Sequence, residues 1–299
     1  MAPKVIVTGA SGLLGRAVVA ELEQRSFTVV GTAFTRSTAT LRKLDLSDSA
    51  AVSAFIAAEQ PQAIIHCAAE KRPDVAEQNR EATEQLNAYV PGHLADLAKQ
   101  HDAFFVYIST DYVFDGTSPP YQTGDVPNPL NFYGRTKLAG ERAVLANNPQ
   151  AAILRVPILY GPAKDPKESA VNVLLDIVKG SKQVMMDDYQ KRFPTCTEDV
   201  ARVLADMTEL SVGAAGESVA GVLHFSAKLE MTKYAMCQVF ANILGITSLD
   251  HVQPVRDKPT EAVASRPDNT QLATDALEQL GISVAYVDFT AWWTRYLTN

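Results

Sequence analysis

Residues 8–15 read Thr8-Gly9-Ala10-Ser11-Gly12-Leu13-Leu14-Gly15, and the reading of this stretch decides the fold. It follows apolar Val5-Ile6-Val7, which reads as a strand, and leads into Arg16-Ala17-Val18-Val19-Ala20-Glu21-Leu22, which reads as a helix. A strand, a glycine turn and a helix bring free backbone N–H groups and the positive end of a helix to one point. That is an anion site suited to a pyrophosphate. Gly9 permits the tight turn, Gly12 lets a phosphate approach the backbone, and Gly15 lets the helix sit close to the sheet. The spacing is GxxGxxG rather than the GxGxxG dinucleotide pattern. Small residues at these places also serve plain strand–helix packing.

Outward from this stretch, strand and helix patterns alternate. Residues 27–34 are β-rich, 41–44 form a short third strand, and 48–60 read as a helix closed by Pro61. Residues 63–67 make strand four, 77–100 carry one long helical pattern, 104–108 make strand five and 151–156 strand six. Such alternation predicts an α/β fold of Rossmann type, a doubly wound parallel sheet with ligands beyond the carboxyl ends of its strands. The Gly/Pro-rich segment 161–166 is expected to separate a dinucleotide-binding domain, 1–160, from a smaller C-terminal α/β lobe, 161–299, with some of its segments returning to the first domain. Helical patterns cover 168–179, 197–210, 231–244 and 269–280, with strand-like 222–225 between them.

The chain has 299 residues, 46% hydrophobic and 20% charged, ordinary values for a globular protein with a real core. Its balance of 27 basic against 34 acidic residues gives −7, which argues against nucleic acid or an anionic membrane surface as partner. No apolar run reaches membrane-spanning length and no signal peptide precedes the first strand, so the expected location is the cytoplasm. Cys67, Cys196 and Cys237 form neither a disulfide framework nor a metal-ligand spacing, and Cys67 is expected to be a buried thiol.

Between Glu23 and Asp45 there is no acidic residue. A carboxylate at the end of strand two would bind the ribose 2′-hydroxyl of NAD. Here the strand ends Phe34-Thr35-Arg36, with Arg16 within reach, and a guanidinium there grips a 2′-phosphate; the expected cofactor is NADP(H). The alternative is an exposed loop arginine. Asp45-Leu46 follows strand three, where Asp45 either reaches the adenine or caps the next helix. Tyr133 and Lys137 stand at i and i+4 on one helix face, which places an ammonium beside a phenol and lowers its pKa. Ser109-Thr110, ending strand five, either offers a hydroxyl to a carbonyl beside that tyrosine or forms a turn with Asp111.

On these residues the chain resembles the extended short-chain dehydrogenase/reductases. Ser109-Thr110-Asp111-Tyr112-Val113-Phe114-Asp115-Gly116 and Tyr133-Gly134-Arg135-Thr136-Lys137-Leu138-Ala139-Gly140-Glu141 look like the dTDP-4-dehydrorhamnose reductase family. His66-Cys67-Ala68-Ala69-Glu70-Lys71-Arg72-Pro73-Asp74-Val75, Arg155-Val156-Pro157-Ile158-Leu159-Tyr160-Gly161, Gln190-Lys191-Arg192-Phe193-Pro194-Thr195 and Met231-Thr232-Lys233-Tyr234 resemble one branch of it more closely, the regulatory beta subunits of methionine adenosyltransferase. The sugar reductases typically carry Asn at the place of His66 and Thr-Ser-Trp-Val at 156–159, so groups that would hold a sugar nucleotide are replaced. The resemblance implies cofactor contacts at Ser11 to Leu14, Phe34, Thr35, Arg36, Asp45, Leu46, Cys67, Ala68, Ala69, Lys71, Tyr133, Lys137 and Leu159. It implies a catalytic methionine adenosyltransferase subunit as partner and no metal. It also leaves Thr110, Tyr133 and Lys137 either as the catalytic groups of an NADPH-dependent reductase or as vestigial ones that hold the nicotinamide ribose. The aromatic segment 288–299, with Trp292 and Trp293, reads either as a last packed helix or as a tail that enters the partner.

Overall fold

Apolar strands separated by amphipathic helices bury both faces of a parallel sheet. The computed structural model describes residues 2–36, 40–213, 219–258 and 263–298. Its first part runs β1 (Lys4–Thr8), α1 (Leu13–Gln24), β2 (Thr28–Ala33), β3 (Arg42–Lys43), α2 (Ser49–Glu59), β4 (Ala63–His66), α3 (Pro73–Gln78), α4 (Arg80–Glu84), α5 (Val90–Gln100), β5 (Phe104–Thr110), α6 (Phe132–Asn147) and β6 (Ala152–Val156). Then come β7 (Leu159–Tyr160), α7 (Val173–Lys179), β8 (Val184–Asp187), β9 (Thr195–Cys196), α8 (Thr197–Val212), β10 (Gly221–His224), α9 (Lys233–Leu244), β11 (Val252–Val255), α10 (Asp275–Gln279) and α11 (Phe289–Thr298).

The main sheet has the order β10-β6-β5-β4-β1-β2-β3, every neighbouring pair parallel. Its winding reverses between β1 and β4, and a crevice opens there beyond the strand ends. Side chains alternate across the sheet. Val5 and Val7 pack with Leu14, Val18 and Leu22 of α1 and with Val203 and Leu204 of α8. Ile6 faces the other layer, with Val52 and Ile56 of α2 and Leu94 of α5. Each such side chain, fully buried, contributes about 1.5–3 kcal/mol. Among the described residues no helix is long and apolar enough to cross a membrane.

Several elements depart from the sequence reading. The single helix expected over 77–100 is broken at Asn79, whose φ of −123° and ψ of 59° are not helical, and it widens into a π-helical turn at Gln85–Tyr89. Pro91 has no N–H to give to Asn87 O, and the Tyr107 hydroxyl donates to that carbonyl instead, at 2.7 Å. The helix expected from 168 begins only at Val173, because the Ser169 hydroxyl accepts from the N–H groups of Val171 and Asn172 and ends a single 3₁₀ turn, Pro166–Glu168. Of the pattern at 269–280, only α10 is helical; Asn269 and Leu272 pair as extended bridges with Lys191 and Tyr121. The strand near 222–225 lies in the main sheet, beside β6.

A further apolar cluster gathers Tyr160, Leu174, Val178, Phe240, Phe289, Trp292 and Trp293 from β7, α7, α9 and α11. The C-terminal aromatics therefore form a packed helix, with Trp293 at 0% exposure and Tyr296 at 40%. Asn299 lies outside the described residues.

Candidate functional site

The glycine turn is built as tightly as its sequence suggested. Gly9 has φ +65°, and a Cβ there would stand 2.8 Å from Ala68 N. At Gly15 a Cβ would stand 2.2 Å from Gly9 O, so this glycine clears the turn itself rather than the sheet. Gly12 caps α1 without a side-chain hydrogen bond, and the first turn of α1 holds no acid. The positive end of the helix is thus free to receive an anion.

This turn forms one wall of a cavity of about 1320 Å³ at the carboxyl ends of the strands. Gly9, Ser11, Gly12, Leu13, Leu14 and Gly15 line it from the turn, and Phe34, Thr35 and Arg36 from the end of β2. Asp45 and Leu46 follow β3; Cys67, Ala68, Ala69 and Lys71 follow β4; Thr110, Tyr133, Lys137 and Leu159 close the other end. Arg16 lies in an adjoining hollow, which it shares with Arg36 and Lys71. Asp45 accepts from the N–H and hydroxyl of Ser47, at 2.9 and 2.7 Å, bonds that lower its pKa. The cap of α2 is Asp48, through Ala51 N. Cys67 is half-buried in the wall, and burial pushes its thiol up to about 12.

Three cations converge beside the end of β2. Arg16 donates to Ser11 O at 2.7 Å, to Pro162 O at 3.1 Å and to Glu168 Oε2 at 2.6 Å. Arg36 Nη1 reaches Glu168 Oε1 at 2.5 Å, and Lys71 Nζ donates to Glu168 O at 2.5 Å. Burial opposes the charge on Glu168, but the bond and charge of Arg16, with the charge of Arg36, hold its carboxyl below the usual range. Residue 168 carried no local signal of this role, since its partners lie 97–152 residues away.

At the other end Thr110 finishes β5 and also caps the 3₁₀ turn Asp111–Val113, so the hydroxyl and turn readings coexist. Asn131 caps α6 through Gly134 N at 2.8 Å and fixes Tyr133 in its first turn. The ammonium is anchored from the end of β5. Lys137 Nζ donates to Ile108 O at 2.7 Å and lies 3.9 Å over the Tyr107 ring. Burial lowers the Lys137 pKa to about 7, against the pull of Glu141, and burial raises Tyr133 well above an ordinary phenol despite its bond to Thr110. Beneath them, Arg155 grips Glu141 at 2.9 and 2.7 Å and Ser109 donates to Glu141 at 2.5 Å, all buried.

His66 is turned away from the cavity. Its Nδ1 meets Thr8 Oγ1 at 2.7 Å, its ring stacks on Tyr107, and burial with the charge of Lys137 lowers its pKa to about 3. The replacement at position 66 therefore changes the sheet interior, whereas Val156, Pro157, Ile158 and Leu159 do line the cavity. The sequence reading also passed over Asp111, Arg192, Lys233 and Arg266, which line the far end. Burial raises Asp111 to about 6 against the bonds from Thr270 and Thr110. Burial and the charges of Arg192 and Arg266 lower Lys233 to about 8.

Residues 3–292 match the RmlD substrate binding domain family. The chain is 47% identical over 280 residues to methionine adenosyltransferase 2 subunit beta of Bos taurus, covering 93% of this chain and 83% of that one. It is 31% identical to a dTDP-4-dehydrorhamnose reductase of Mycolicibacterium smegmatis, over 95% of this chain and 82% of that protein. Among solved structures, the dTDP-4-dehydrorhamnose reductase of Bacillus anthracis in complex with NADP superposes with a TM-score of 0.86 at 25% identity, covering 100% of this chain and 99% of that one.

Proposed function

Because the chain belongs to the RmlD substrate binding domain family, and within it to the family of methionine adenosyltransferase 2 beta subunits, we propose that it is an NADP(H)-binding regulatory subunit of methionine adenosyltransferase. It would support the making of S-adenosylmethionine from methionine and ATP in the catalytic partner subunit. The observation that carries this reading is the identity of 47% spread over 93% of the chain.

The residues suit the cofactor. Gly9 and Gly15 leave a cradle that a Cβ would fill, and the uncapped start of α1 suits the pyrophosphate. Arg16, Arg36 and Lys71, gathered on Glu168, would grip a 2′-phosphate, and Asp45 and Leu46 in the cavity wall would meet the adenine. When bound, NADPH supplies a hydride. Tyr133 and Lys137 would hold the ribose end, and the apolar wall Val156 to Leu159 would exclude water beside it.

Thr110, Tyr133 and Lys137 line one end of the cavity, which favours a second reading as a reductase of a 4-keto sugar nucleotide. There Tyr133 protonates the carbonyl oxygen, Thr110 orients it and Lys137 holds the tyrosine. The apolar Val156 to Leu159 wall, where the sugar reductases typically carry polar and aromatic groups, weighs toward the regulatory reading. Capture of the tagged full chain from native lysate tests it: methionine adenosyltransferase should co-purify. NADPH oxidation with dTDP-4-dehydrorhamnose should be negligible, and Tyr133→Phe should leave partner activation intact. Turnover on the order of 1 per second, abolished by Tyr133→Phe and without partner capture, would replace this reading with the reductase one.

A further inference from the structure

We propose that Glu168 is an internal counter-anion seated between the groups that receive a 2′-phosphate, and that it sets the discrimination between NADP(H) and NAD(H). The inference rests on the NADP(H) reading above. Arg16, Arg36 and Lys71 come from the start of α1, the end of β2 and the turn after β4, and all three meet on this one residue. Arg16 does not need Glu168 to stay aimed, because Ser11 O and Pro162 O hold its guanidinium from the backbone. Two guanidiniums on the carboxylate, with the Lys71 ammonium on the backbone carbonyl of the same residue, leave a net attraction for a doubly charged phosphate, yet that phosphate must take the place of the carboxylate or sit against it.

Glu168 is placed to yield. It ends a single 3₁₀ turn outside the sheet, held by Asp165 through Lys167 N, so its side chain can swing out without unfolding an element. It also supplies what the chain lacks elsewhere. No acid lies between Glu23 and Asp45, where a carboxylate would accept a ribose 2′-hydroxyl. Glu168 brings a carboxylate to the same place from the opposite wall. The arginines thus favour the phosphorylated ribose, and Glu168 favours the free hydroxyl.

Calorimetry on the full chain with NADP⁺ and with NAD⁺ tests this. Glu168→Gln should tighten NADP⁺ about tenfold while NAD⁺ stays the same or weakens. Glu168→Asp, which keeps the charge one methylene short of the guanidiniums, should give an intermediate gain and serves if the first variant folds poorly. Unchanged or weaker NADP⁺ binding in both variants, or an equal gain for both cofactors, overturns the proposal. Arg36→Ala separates the two layers of the argument. A selective loss of NADP⁺ in Arg36→Ala with no gain in Glu168→Gln defeats the role of Glu168 alone. An equal loss of both cofactors in Arg36→Ala defeats the NADP(H) reading itself.

Discussion

Trp293→Ala empties the middle of the C-terminal aromatic cluster. The indole is wholly buried, with ring centroids of Phe240, Trp292, Tyr296 and Tyr160 at 4.8, 4.9, 5.6 and 5.7 Å. Truncating a buried tryptophan to alanine costs about 3–5 kcal/mol, because the surrounding rings collapse only partly into the space. At roughly 1.6 °C per kcal/mol for a chain of this size, the melting temperature should fall by about 5–8 °C. Trp293 Nε1 is buried without a hydrogen-bond partner. Trp293→Phe keeps much of the ring packing and removes that N–H, whose burial costs about 1–3 kcal/mol, so it should lose far less. Urea unfolding followed by far-ultraviolet circular dichroism measures both. A loss under about 1 kcal/mol in the alanine variant would refute the packed helix and restore the free tail. Tyr296→Ala, at the exposed edge of α11, should cost under about 1 kcal/mol, so any loss of partner co-elution in it is a contact effect.

Three other outcomes follow from the site. Arg36→Ala should weaken NADP(H) by about one decade and NAD(H) little, measured by calorimetry; the guanidinium is 57% exposed, which places the effect at the low end for a charge-assisted bond. Arg155→Met strands the Glu141 carboxylate, whose side chain is 3% exposed, and should cost about 3–5 kcal/mol in urea unfolding, most of it regained in the double variant with Glu141→Leu. Lys137→Met should raise stability at neutral pH. The lysine titrates near 7 when folded and near 10.5 when unfolded, so its penalty is full below pH 7, shrinks as pH rises, and vanishes above about 10.5. A melting-temperature gain that does not shrink between pH 7 and 10 would contradict this.

The sheet was legible because β1, β4, β5 and β6 are apolar runs bounded by turn residues, and because the glycines of residues 9–15 leave little choice of backbone. Helix boundaries were less so. Pro91 and Ser169 reroute hydrogen bonds through Tyr107 and through the serine's own hydroxyl, partners that sequence spacing does not reveal. The i,i+4 rule put Tyr133 and Lys137 on one face correctly, but the backbone carbonyl of Ile108, on a different element, decides where the ammonium ends. The same limit hid Glu168, whose meaning comes from Arg16 and Arg36, more than 130 residues away. His66 misled in the opposite direction: its position was counted among groups that would hold a sugar nucleotide, yet its ring is buried against Thr8 and Tyr107.

The placement of α8 against α1 bears on how the chain is made. Leu14, Val18 and Leu22 leave the ribosome early, yet Val203 and Leu204, which cover the same layer, are synthesised some 180 residues later. At about 5–20 residues per second that interval lasts roughly ten to forty seconds. Through it the nascent chain carries an open apolar strip, and β6, once made, waits roughly 65 residues more for β10 to cover its edge. Holding chaperones have their natural target there, and a destabilising change in α8 should lower yield in cells more than its cost to the finished fold suggests.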